Sequence, residues 1–147
     1  MNIKRLLLAF IAVFVFIFLF EWVFHGVLLK ETYAQTSSLW RPEAEMQGLF
    51  AWMLVGQATI ALMFVILFAR GFGGRGVSGG IELGVLVALL RIGLDLTFYV
   101  VQPLPGKLIV CWAIGGLIEG AVAGAIAGGI YKTGTPTVAA TPEVRGA

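Results

Sequence analysis

Long apolar runs alternate with short polar or glycine-rich stretches along this chain, and the alternation has a helical membrane period. Apolar stretches cover about 6–29, 46–69, 81–101 and 108–131. Each is 21 residues or longer, counted from those bounds, which is enough to cross the roughly 30 Å hydrocarbon core of a bilayer as a helix. The pattern predicts an all-α protein, a bundle of four transmembrane helices in one domain over 1–132, with a disordered cytoplasmic tail over 133–147.

The stretches between the runs carry the breakers. Lys30 to Glu45 mixes charged, small polar and Pro residues and reads as a loop. Within it, Pro42 with Glu43 and Glu45 has the composition of a first helical turn. Tyr33, Trp40 and Trp22 suit the membrane–water interface. Arg70 to Gly80, RGFGGRGVSGG, reads as a flexible basic hairpin, and it lacks the Lys-Ser/Thr of a phosphate-binding loop. Gln102 to Lys107, with two prolines, is a tight turn.

The first run follows Lys4 and Arg5, as a signal peptide's apolar core would. It is longer than the roughly 7–15 residues of a cleaved core, and bulky Phe and Trp continue to Phe24. A retained helix is expected. Lys4, Arg5, Arg70, Arg75, Lys132 and Arg145 fall on one side, against Lys30, Arg41 and Lys107 on the other. That bias places both termini in the cytoplasm.

Composition agrees with the pattern. Of 147 residues, 59% are hydrophobic and 12% charged, and the mean hydropathy is +0.96. A soluble domain of this size has no interior for so much apolar surface. The net charge of +2 is spread over the polar stretches, so nucleic acid is not an expected partner. One Cys (Cys111) and one His (His25) exclude an internal disulfide and any site needing two of either. Ser37, Ser38 and Ser78 have no base at a useful spacing. No enzyme chemistry, metal or cofactor is expected.

Polar residues inside the apolar runs are the informative exceptions. A charge at the bilayer centre costs roughly 3 kcal/mol or more, so it turns inward and finds a partner. Arg91 and Asp95, four apart, share one face of the third run with Gly84 and Ala88. Counting along each run puts Gln57, Arg91 and Glu119 near the midplane. Glu21 and Asp95 come out in the outer half, with His25 one turn beyond Glu21. One arrangement has Arg91 paired with Glu119, Asp95 or both, and Gln57 completing the hydrogen bonds. The other makes Glu21, His25 and Asp95 a site on the outer side for a cation or a proton relay. The first points to a small non-enzymatic protein held by a charged layer, an oligomer or an accessory subunit. The second points to a small transporter.

Gly116, Gly120, Gly124 and Gly128 repeat every four residues on the fourth run. Such a stripe lets helix backbones approach closely in lipid. It predicts packing against the third run, or against a second copy or a partner helix.

The stretches FHGVLLKETY and LWRPEAEM, with the glycine-rich run ending in GGIYK, resemble a group of small bacterial membrane proteins with four helices and no assigned function. That likeness covers most of the chain up to Lys132 and implies fold alone. The chain is also similar, at fold level, to small multidrug-resistance transporters, whose first helix carries an essential Glu. Glu21 is the matching position, although it lies farther out. Arg91, Asp95 and the long outer loop have no counterpart in that family.

Overall fold

A computed structural model describes residues 2–132, so the expected disordered tail lies outside the described residues. Six α-helices account for most of the described residues: α1 Ile3–Val23, α2 Lys30–Gln35, α3 Glu43–Gly48, α4 Phe50–Leu67, α5 Gly76–Val101 and α6 Gly106–Ile130. The first begins where Asn2 caps it, its side-chain oxygen accepting from the Arg5 N–H at 3.1 Å. A π-turn over Phe24–Leu28 then extends it.

Three segments are long and apolar enough to cross a membrane: Ile3–Leu28, Phe50–Val101 and Gly106–Ile130. The middle one, 52 residues, is too long for one crossing, because a straight helix of that length reaches roughly 78 Å. It turns back on itself instead. A π-turn over Phe68–Phe72 and a 3-10 turn over Gly73–Arg75 end α4, and Gly76, at φ 57°, starts α5 in a backbone region that suits glycine.

Contacts give the direction of each helix. Ala61, Phe64 and Val65 of α4 and Phe68 of the π-turn after it share a core with Leu6, Ala9 and Val13 of α1 and with Ala123, Ala127 and Tyr131. The Phe68 ring meets Tyr131 edge-on, so α4 runs toward the end where α6 stops. Helix α5 leaves from that same end, with Gly76, Gly80 and Gly84 opposite Gly128, Gly124 and Gly120 in turn. Arg5 donates to the Lys132 carbonyl and Asn2 N–H to the Tyr131 hydroxyl, closing that end.

The helices pack in the order α4, α1, α6, α5, and α4 and α5 barely meet. The α5–α6 pair is the most extensive. A Cβ on Gly80, Gly84, Gly120, Gly124 or Gly128 would collide with backbone of the facing helix, so only glycine allows this approach. Gly116 departs from the expected stripe: nothing lies within 4 Å of where its Cβ would be. Its neighbour Gly115 is the tight position, against the Phe24 ring.

Several boundaries differ from expectation. The helix expected over 46–69 is interrupted at Leu49, between α3 and α4. The Arg70–Gly80 stretch reverses the chain as expected, but it is mostly helical turns, and α5 begins five residues before Ile81. Close packing of Gly80 on Gly124 supplies the contact that glycine composition alone withholds. The Lys30–Glu45 stretch also contains helix α2, a 3-10 turn at Ser37–Leu39 and the start of α3, whose first residue follows Pro42. A second small core seats this segment. Leu29, Leu104, Leu108 and Ile109 are buried there, with Tyr33, Leu39, Trp40 and Trp112 packed against them.

Candidate functional site

At the level where α1, α5 and α6 meet, Arg91 reaches two carboxylates from two helices. Its Nη1 donates to Glu21 Oε1 at 3.3 Å and to Glu119 Oε2 at 3.3 Å. Glu119 is 8% exposed, the one buried charged residue among those described. Charge-assisted bonds of this kind offset part of the cost of holding ions away from water. The glycine contacts of α5 with α6 lie just beyond, at Gly84 and Gly120, and bring the Arg91 and Glu119 backbones close enough to pair.

Sequence position misplaces the second acceptor. Asp95, one turn along α5 from Arg91, is one of the two acceptors expected for it, but it makes no ion pair with Arg91. Glu21, expected farther out, takes that place. The long arginine side chain can reach an acceptor at a different depth, and the 1.5 Å per residue estimate assumes an untilted helix. Gln57 does not complete the layer either. Its Oε1 is buried with no hydrogen-bond partner among the described residues, because α4 lies on the far side of α1 from α5.

A hydrogen-bonded chain leads outward from Glu21. His25 Nε2 lies 2.9 Å from Glu21 Oε2, one turn away on the same helix. His25 Nδ1 lies 2.6 Å from the Tyr33 hydroxyl, which also accepts from Trp112 Nε1 at 2.9 Å. With Trp112 donating to its oxygen, Tyr33 gives its own proton to Nδ1, leaving Nε2–H for Glu21. Neutral His25 in that tautomer satisfies every group in the chain. Burial raises the Tyr33 phenol above its usual 10.0, so it stays a donor at neutral pH.

Sequence reasoning read Tyr33 and Trp40 only as interface aromatics and passed over Trp112. Their hydrogen bonds span 8 residues (Tyr33 to His25) and 79 (Trp112 to Tyr33), and no local spacing announces the longer one. Trp40 Nε1 donates to Thr36 Oγ1 at 2.9 Å, and its ring packs edge-on against Tyr33.

Beside this chain lies a cavity of about 410 Å³. His25, Arg91 and Asp95 line it together with Trp40, Phe98 and Trp112. Gln102 and Leu104, from the turn between α5 and α6, are also at its wall. Asp95 accepts no hydrogen bond from any described residue, and its Oδ2 is buried. The structure therefore brings together five of the six polar residues singled out above: Glu21, His25, Arg91, Asp95 and Glu119. Among the described residues no group of three His, Cys, Asp or Glu side chains is placed to hold a metal ion. Comparison with protein-family models, with curated proteins and with solved structures finds no match to this chain.

Proposed function

We propose that the chain is a non-enzymatic integral membrane protein with four spans, and that its charged layer is the floor of a cation or proton site reached from the face carrying the 30–40 segment. The 52-residue apolar run supplies the second and third spans, because it reverses at Gly76. The described ends, Asn2 and Lys132, then share one side with Lys4, Arg5, Arg70 and Arg75, and the positive-inside rule makes that side cytoplasmic.

One observation carries the reading: Asp95 stands unpaired on a cavity it shares with His25 and Arg91. A layer serving only to hold helices together has no use for an ionisable group left without a hydrogen bond in an apolar run. Three carboxylates, Glu21, Asp95 and Glu119, surround a single arginine, so the site is short of positive charge. A bound cation or a mobile proton supplies it. The Glu21–His25–Tyr33 chain offers a proton route between the layer and the outer segment.

The alternative, an accessory subunit joined through the glycine stripe of α6, loses its main support. Gly120, Gly124 and Gly128 are already packed against α5 of the same chain.

The test is flux. Proteoliposomes holding a dye selective for protons, for potassium or for sodium are given the matching gradient in turn. Wild type should dissipate at least one faster than empty liposomes, and Glu21→Gln and Asp95→Asn should slow it. Equal rates for all three proteins would remove the pathway reading and leave a structural layer.

A further inference from the structure

The donors and acceptors around the cavity are unequal in supply. Trp40 gives its N–H to Thr36, and Trp112 gives its N–H to Tyr33. Both His25 nitrogens are engaged, by Glu21 and by Tyr33. The charge of Arg91 is matched by two carboxylates at 3.3 Å. The aromatic walls thus have their polar edges occupied and present carbon surface. Among the buried side-chain polar atoms of the residues lining the cavity, the one without a hydrogen-bond partner is an acceptor, Asp95 Oδ2.

We propose that this cavity binds a protonated primary amine carrying an apolar body, its ammonium donating to Asp95 and its body lying among Trp40, Phe98 and Trp112. The proposal rests on the reading of the cavity as a cation site and names the class of cation. An anion is disfavoured, because the cavity wall carries the Asp95 carboxylate and its arginine is already compensated by Glu21 and Glu119. A bare metal ion finds one carboxylate and no second ligand of its kind on the cavity wall. An organic cation gains from the aromatic rings, whose faces attract positive charge. The volume, about 410 Å³, is within the range of small-molecule sites.

The unpaired acceptor separates two kinds of organic cation. A primary ammonium carries three N–H donors and can hydrogen-bond to Asp95 while neutralising it. A quaternary ammonium has no N–H. It can lie against the rings, but it leaves the buried carboxylate oxygen unsatisfied, which costs affinity. The site should therefore prefer the ammonium that donates.

Isothermal titration calorimetry on the purified full chain in detergent, at neutral pH, provides the test. The probes are 4-phenylbutylamine, its N,N,N-trimethyl derivative and the neutral 4-phenylbutanol. The primary amine should bind about tenfold or more tightly than the trimethyl derivative, and the alcohol more weakly still. Asp95→Asn keeps the side-chain shape and lies outside the Arg91 ion pairs, and it should weaken the primary amine by a similar factor. Should that variant fold poorly, the comparison of the three probes on wild type still decides. Equal binding of the primary and trimethyl cations would overturn the donor argument and leave the cation site standing. No binding of either amine would overturn the proposal, while the gradient experiment judges the pathway separately.

Discussion

Glu21 Oε1 accepts from Arg91 Nη1 at 3.3 Å, across 70 positions of sequence. That bond ties α1 to α5, two helices with no extensive packing between them, and it makes the charged layer a three-helix device rather than a pair.

Removing Arg91 should therefore be costly. Arg91→Leu leaves Glu21 and Glu119 facing each other without a cation, and the loss of one partner from a buried pair costs about 3–5 kcal/mol. Arg91→Lys should be milder, since a point charge still neutralises the acids while losing the planar fork. Combining Arg91→Leu with Glu119→Gln or with Glu21→Gln should recover part of the loss. Combining it with Asp95→Asn should recover little, because Asp95 lies outside the pair. Thermal unfolding of all variants in one detergent decides this, and recovery confined to the Asp95 double variant would move the ion pair from Glu21 and Glu119 to Asp95.

The α5–α6 contact makes a sharper forecast at single positions. Gly80→Ala and Gly124→Ala each push a Cβ into facing backbone, and such overpacking costs about 1–3 kcal/mol. Gly116→Ala, with open space around its Cβ position, should be neutral, or slightly stabilising through helix propensity. Detergent melting temperatures read both effects. Equal losses at Gly116 and Gly124 would mean the stripe faces another chain as well.

Much of this architecture was legible in the sequence, and the limits have physical causes. Four apolar runs with inward polar exceptions follow from the absence of water in a bilayer, so their existence needed no tertiary information. The pairing of Arg91 with Glu119 was among the expected alternatives for the same reason. The positions of Asp95 and Gln57 were not legible. Which acceptor an arginine takes depends on helix tilt, on the reach of its side chain and on packing order, and periodicity records none of these. The helical turns over Arg70–Gly80 were hidden because glycine there reads as flexibility, whereas Gly80 serves close approach to α6 and Gly76 a positive φ. The Tyr33–Trp112 bond joins residues in separate polar and apolar stretches, and no motif links them.

Topology can be checked directly. A reporter fused after Lys132 should be cytoplasmic, and a tag in the Thr32–Leu39 segment should be labelled from outside by a reagent that cannot cross the membrane. Arg5 contacts the Lys132 carbonyl, so the N-terminus must share the side of the first reporter. Reversed labelling would put the cavity on the cytoplasmic face and contradict the positive-inside assignment.

Tyr33 makes the outer segment sensitive to alkali. Burial raises its phenol above 10.0, so the folded protein holds this proton more tightly than the unfolded chain does. The stability linked to that proton is complete below pH 10.0 and is lost as pH climbs through the raised value. Tyr33→Phe keeps the ring but removes both hydrogen bonds, so it should be less stable than wild type at neutral pH by about 0.5–1.5 kcal/mol per lost bond. Its melting temperature should lack the part of the alkaline decline that Tyr33 contributes, and the gap to wild type should close above about pH 10. Melting curves of the two proteins from neutral to strongly alkaline pH provide the measurement. A gap that stays constant across that range would mean the Tyr33 proton is not held by the fold, and the hydrogen-bonded route from Tyr33 through His25 to Glu21 would lose its outer end.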